Sequence, residues 1–129
     1  MKESEFTFLG YRVSLLNLSI QDSFNPVNTK LTQNINIQHK FSDKDNRFVE
    51  VIMDITIKSE DDLLSLQIVI HGGFKGCQDM PDKLFKSMYS VNAPAILYPF
   101  ARAYIASCTS QSGIPAVILP LINLTESNK

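Results

Sequence analysis

Between Leu31 and Phe41 the chain alternates, with Leu31, Ile35, Ile37 and Phe41 set against Thr32, Asn34, Asn36, Gln38 and Lys40. A period of two is that of a strand with one buried and one polar face. Phe48 to Ile57 repeats the pattern, with Val49, Val51, Met53, Ile55 and Ile57 on one side and Glu50, Asp54 and Thr56 on the other. Leu63 to Ile70 carries an unbroken row of Leu64, Leu66, Ile68 and Ile70, but Leu63 and Val69 interrupt its polar side, which predicts cover on both faces. A first strand, Phe8 to Ile20, is rich in Leu, Val and Ile yet alternates poorly, and the connector Asp22 to Thr29 carries Phe24 and Pro26. The pattern leaves the register of both open. Ser42-Asp43-Lys44-Asp45-Asn46 and Ser59-Glu60-Asp61-Asp62 are polar clusters of the kind that close hairpins, so the last three strands should form an antiparallel meander.

After Gly72-Gly73, read as the turn that ends the fourth strand, the period changes. Leu84, Phe85 and Met88 have helical spacing within Pro81 to Ser90, and Pro81 and Asp82 suit a first turn. A longer helix is predicted from Pro94 to Gln111, with Leu97, Phe100, Ala101, Tyr104, Ile105 and Cys108 on one stripe, Pro99 starting or kinking it, and Gly113 stopping it. The tail, Ile114 to Leu124, is apolar and broken by Pro115 and Pro120, so it should pack on the body rather than enter the sheet. Strands followed by helices argue an α+β fold: a four-stranded antiparallel sheet, then a short and a long helix packed on one face.

At 129 residues the chain has room for one core, and 1–129 is read as a single domain. Twelve basic and thirteen acidic residues leave a formal net charge of −1, which provides no footprint for nucleic acid or an anionic membrane surface. The proline-broken tail is too short to span a bilayer, and no apolar leader precedes the patterned region, so neither membrane insertion nor secretion is expected. Cys77 and Cys108 fit no metal spacing, and a reducing cytoplasm is the simplest compartment for them.

Candidate chemistry is thin. His39 lies on the apolar side of its strand and His71 lies before two glycines; neither has nearby carboxylate or cysteine company in sequence, so each is read as structural. Cys77 has only Lys75 as a neighbouring cation, and Cys108 falls on the apolar stripe. The glycines from Gly72 to Gly76 complete no phosphate-binding pattern, and Glu60-Asp61-Asp62 lacks the spacing of a calcium loop. These readings imply no catalysis, no metal and no cofactor. What stands out instead is an apolar surplus in the tail, in the long helix and on both faces of the first and fourth strands. A contiguous surplus of this kind signals a partner surface or a binding groove.

The second half resembles the SecB protein-export chaperone family. His71-Gly72-Gly73-Phe74 is similar to the family's glycine pair followed by an apolar residue, and the segment from Asn92 to Arg102, with Tyr98-Pro99-Phe100-Ala101-Arg102 at its core, resembles the family's helix signature. Gly113-Ile114-Pro115 and Leu119-Pro120-Leu121-Ile122-Asn123-Leu124 resemble its tail. The resemblance covers about eighty residues; the first forty share only strand character.

The resemblance implies an ATP-independent holdase, not an enzyme, that keeps unfolded polypeptides such as preproteins in apolar grooves and assembles as a dimer of dimers. Client-binding positions then fall at Tyr98, Phe100, Tyr104, Leu119 and Leu121, the subunit-pairing face at Gln67, Val69 and His71, and Arg102 is a structural residue bonding carbonyls or a carboxylate. Two departures remove the expectation of docking to the SecA motor: Ile68 matches the position of a docking acid, and the chain ends at Thr125-Glu126-Ser127-Asn128-Lys129 without the family's acidic extension. Relatives that serve toxin-antitoxin systems supply a second reading, with one dedicated client. A small-molecule-binding α+β domain and an adaptor for one folded partner are the readings from other classes.

Overall fold

The computed structural model describes residues 5–27 and 29–120. Four strands, β1 (Phe6–Ile20), β2 (Leu31–Phe41), β3 (Phe48–Ser59) and β4 (Leu64–Gly76), precede two helices, α1 (Asp82–Ser87) and α2 (Ala93–Gln111). The strands form one antiparallel sheet in the order β1-β4-β3-β2. The last three are a meander, and β1 lies beside β4, so residues 21–30 must cross the end of the sheet to reach the far edge. They do so along the tip of the β3–β4 hairpin: Gln21 N–H donates to Leu63 O at 2.8 Å and Glu60 N–H to Lys30 O at 3.1 Å.

Both hairpin clusters close as their composition requires. Ser59 Oγ accepts Leu64 N–H at 2.9 Å and donates to Asp61 Oδ1 at 2.6 Å, while Asp62 takes a positive φ of 62°. At the other turn Asp45 Oδ1 accepts Arg47 N–H at 2.9 Å, and Asp45 O accepts Phe48 N–H at 3.2 Å.

Strand alternation sorts the residues onto two faces. Val49, Val51, Met53, Ile55 and Ile57 of β3 and Leu64, Leu66, Ile68, Ile70 and Phe74 of β4 are buried on the face that α2 covers. Glu50, Ile52, Asp54, Gln67, Val69 and His71 are half-buried on the other.

The poor alternation of β1 has a structural cause. Its register against β4 shifts twice, between Phe8 and Gly10 and between Val13 and Leu15. Each bulge inserts a residue and reverses which side the following side chains take. The residues opposite the helix-facing positions of β4 are therefore Phe6 and Phe8, then Tyr11 and Val13, then Leu16, Leu18 and Ile20. A single period of two cannot describe them.

The fourth strand was expected to end at Ile70, with Gly72-Gly73 as a turn. Instead β4 runs on to Gly76, paired with β1 on one side and β3 on the other. The glycines serve close approach rather than turning: a Cβ on Gly72 would lie 2.9 Å from Leu97 Cδ1, and one on Gly76 would lie 3.1 Å from both Met80 Sδ and Phe85 Cδ1. Glycine is what lets the helices settle onto the end of the sheet.

The short and long helices join without a loop, through a π turn at Met88–Asn92 in which Ala93 N–H reaches back to Met88 O. Pro94, next in the chain, has no N–H to give to Ser90 and its ring crowds that carbonyl; a widened turn accommodates both effects. Leu97, Ala101, Ile105 and Thr109, one every fourth residue, are buried against the sheet. Pro99 lies inside α2 with its ring exposed. The helix ends where Gly113 takes a φ of 90°.

Arg47 ties the β2–β3 turn to the start of the helices. Its Nε and Nη2 donate to Met80 O at 3.2 and 2.6 Å, Nη2 also meets Asp82 Oδ1 at 2.8 Å, and the guanidinium lies 5.1 Å from the centre of the Phe85 ring.

Candidate functional site

Because Leu97, Ala101 and Ile105 point at the sheet, the residues beside them on the helix wheel are divided between two flanks. The stripe read from sequence combined Phe100 and Tyr104 with the core positions. The structure sets them on the flank facing β1, and buries Tyr98 on the other.

On the first flank Phe100 is 38% exposed and packs on Phe8 and Tyr11, with ring centres 5.4 and 4.8 Å away. Ile96 and Tyr104, one turn to either side, share its direction; Ile96 is exposed and Tyr104 half-buried. Tyr11 and Leu16 on the neighbouring edge strand are also exposed. An aromatic chain continues inward from Phe8 through Phe74, Phe6 and Phe85 to Tyr89, which meets Phe41 and His39 at the opposite edge. His39 Nε2 lies 3.1 Å from Tyr89 O, a structural position.

On the second flank residues 114–120 run back along α2. Thr109 Oγ1 accepts Val117 N–H at 2.9 Å, Arg102 Nε donates to Leu119 O at 2.5 Å, and Tyr98 Oη donates to Pro120 O at 2.7 Å. Tyr98 and Leu119 are each 3% exposed and are thus brought together, whereas Phe100 is not part of their cluster. Burial holds the Tyr98 phenol above its ordinary pKa. Between this segment and β2 lies a crevice of about 360 Å³ lined by Leu31, Gln33, Ile57, Val117, Leu119 and Pro120, among others. Gln33 Nε2 is 3.5 Å from Tyr98 Oη, and Gln33 Oε1 is buried without a partner among the described residues. A second crevice of about 180 Å³ continues beneath Phe24, Pro26 and Ile114. Leu121, Ile122 and Leu124, which the sequence adds to this tail, lie outside the described residues.

The uncovered face of the sheet carries Gln67, Val69 and His71. Gln67 Nε2 donates to Asp54 Oδ1 at 3.1 Å, Ser14 Oγ lies 2.8 Å from His71 Nε2, and Glu50 Oε2 is 3.3 Å from His71 Nδ1 and 4.0 Å from Arg12 Nη2. Ser14, His71 and Glu50 follow the order of a hydrolytic triad, a juxtaposition that sequence reading missed because the three residues are far apart in the chain and the bulge at Ser14 is invisible to it. They sit on an open strand face beside a shallow depression rather than in an enclosed site that could hold an oxyanion; Ser14 and His71 bond β1 to β4, while Glu50 of β3 comes near His71 Nδ1 without hydrogen-bonding it. A depression of about 380 Å³ on the same face is lined by Asn36, Gln38, Ile52, Asp54 and Val69.

Ile68, at the position where the resemblance places a docking acid, is fully buried under the helices. Cys108 is half-buried and its thiol pKa is pushed up by that burial, so it is a poor nucleophile. Among the described residues there is no cluster of three or more His, Cys, Asp or Glu side chains able to hold a metal, and no helix is long and apolar enough to cross a membrane.

Comparison with known proteins agrees on one family. The profile of preprotein translocase subunit SecB matches residues 12–126. An uncharacterised protein of Methanocaldococcus jannaschii is 31% identical over 101 residues, covering 74% of this chain and 64% of that protein. The protein-export protein SecB of Sphingopyxis alaskensis is 31% identical over 76 residues, covering 57% of this chain and 44% of its own length. Among solved structures, the SecB-like chaperone of Mycobacterium tuberculosis in complex with a peptide from the HigA1 antitoxin superposes with a TM-score of 0.73, covering 91% of this chain and 87% of that one at 10% identity. This chain spans 44% to 64% of the length of these two curated relatives.

Proposed function

The chain belongs to the SecB family, and from that premise we propose that it is a cytoplasmic, ATP-independent holdase, a single domain over residues 1–129 that binds unfolded polypeptides, preproteins for export among them. One observation carries the reading: α2 leaves apolar side chains open along both of its flanks, Phe100, Ile96 and Tyr11 on one and the crevice beside Leu31 and Leu119 on the other. Apolar burial is worth about 25 cal/mol per Å² whatever the sequence that supplies the area, so such flanks suit many unfolded clients. The family is one of chaperones rather than enzymes, and no cofactor is invoked.

Tyr98, Phe100, Tyr104, Leu119 and Leu121 are the proposed client positions. Gln67, Val69 and His71, on the uncovered sheet face, are the proposed pairing face of a homotetramer. A dedicated client is the second reading, favoured by the structural likeness to a chaperone bound to an antitoxin peptide and by Ile68, an apolar and buried residue at the position where the resemblance places an acid that docks SecA.

The test is light scattering of a chemically denatured, aggregation-prone protein diluted with and without the chain, beside size-exclusion chromatography with mass detection. Suppression at near-stoichiometric amounts without ATP supports the holdase. Loss of holding by Tyr104→Asp and Leu121→Asp, with strand content intact, supports the named positions; unchanged holding by both removes them. A chain that suppresses no general client but protects one partner points to the dedicated reading.

A further inference from the structure

We infer that the Tyr98 flank of α2 is a site that reads extended polypeptide backbone, and that its resident occupant is the chain's own segment 114–120, which a client must displace. The inference rests on reading the chain as a polypeptide binder, moves Leu119 from the client contacts to the resident occupant, and adds a self-inhibiting contact to that reading.

Three side chains, Tyr98, Arg102 and Thr109, hold the segment through main-chain groups alone, the carbonyls of Pro120 and Leu119 and the N–H of Val117. Every extended peptide offers the same groups, so nothing in these bonds is particular to this sequence. The segment's one deeply buried side chain is Leu119, and many clients carry an equivalent residue. Gln33 Oε1, buried beside the crevice and unpaired among the described residues, is a further acceptor for a main-chain N–H. A site with a spare acceptor, space beside its occupant and sequence-independent contacts is built for exchange.

Tethering sets the cost of displacement. A site open only a fraction of the time binds in trans with its affinity reduced by that fraction, so a segment seated nine-tenths of the time weakens client binding about tenfold.

The experiment uses the full chain with Cys77→Ser and Cys108→Ser, carrying either Thr109→Cys with Val117→Cys or Leu119→Asp. Thr109 Oγ1 accepts Val117 N–H at 2.9 Å, which sets the two residues side by side, and formation of the disulfide between the introduced thiols is followed by thiol titration. Oxidation locks the segment; Leu119→Asp evicts it while leaving the α2 side chains intact. Readouts are binding of a labelled unfolded client and of a labelled peptide with the sequence of residues 113–120. The expected result is that the oxidised form loses binding of both, reduction restores client binding to the level of a control carrying Thr109→Cys without the second cysteine, and Leu119→Asp binds both several-fold more tightly than the parent. Equal client binding by oxidised and reduced forms overturns the inference while the holdase stands. Peptide bound by the evicted form and refused by the locked form, with no client held by any form, supports the inference and removes the holdase reading.

Discussion

Gly72 of β4 faces Leu97 of α2 so closely that a Cβ on the glycine would lie 2.9 Å from Leu97 Cδ1 and 3.0 Å from Phe74 Cε1. Leu97 and Phe74 are both fully buried, so neither has open space into which to withdraw. Gly72→Ala is therefore expected to destabilise the fold by about 1–3 kcal/mol, the usual cost of overpacking. Urea unfolding measures it, and a neutral or stabilising result would show that the contact relaxes freely.

Arg47 secures the start of the helices through the Met80 carbonyl and Asp82. Arg47→Ala should cost about 2–3 kcal/mol, because the carbonyl loses two charge-assisted bonds inside a buried site. Arg47→Lys should recover only part, since an ammonium cannot reproduce the fork. Denaturant titration of both variants checks the order.

Deleting Ser14 removes the second bulge of β1 and joins Val13, opposite Ile70, directly to Leu15, opposite Val69, in ordinary alternation. Phe6, Phe8, Tyr11 and Val13 keep the face that α2 covers, and the aromatic chain from Phe100 to Phe74 stays whole. Ser14→Ala keeps the bulge and loses only the His71 contact. Both variants are expected to keep cooperative thermal unfolding; loss of cooperativity on deletion alone would contradict the register.

Phe100→Asp places a charge on an exposed flank without opening the core. Client holding should require severalfold more chain, while thermal stability falls only by the loss of the ring contacts, about 0.5–1.5 kcal/mol each. Light scattering beside calorimetry separates the two, and unchanged holding would take the β1 flank out of the client surface.

Asp45 and Asp61 both have pKa values below the ordinary 3.8: Asp45 chiefly because Arg47 N–H bonds its carboxylate, with Lys75 adding to it, and Asp61 chiefly because Ser59 Oγ–H does, with Leu63 N–H adding to it. A folded-state value below the unfolded one means a contribution present above pH 3.8 and lost as pH falls through the depressed value. Asp45→Asn and Asp61→Asn should thus be less stable than the parent near neutrality, with the gap closing below about pH 4. Melting temperatures between pH 3 and 7 give the sign, and a gap that widens in acid would refute it.

Strand identity in β2 and β3 was legible because one face of each is buried and the other open, which writes a period of two into residues such as Met53 and Ile55. The fold class followed from element order, and the SecB family from local signatures around Tyr98 to Arg102, since a helix that must seat on a sheet constrains its own neighbours in sequence. By itself the sequence determined these features. Only the tertiary structure decided that β4 continues through Gly72-Gly73, because a glycine kept for close approach looks the same in sequence as one kept for a turn. It also decided the inward set of β1, where two bulges reverse parity, and the division of Tyr98 from Phe100, which depends on which side of α2 receives the returning tail. Ser14, His71 and Glu50 meet across three strands, and contacts of that kind come from pairing register, which no local pattern of side chains encodes.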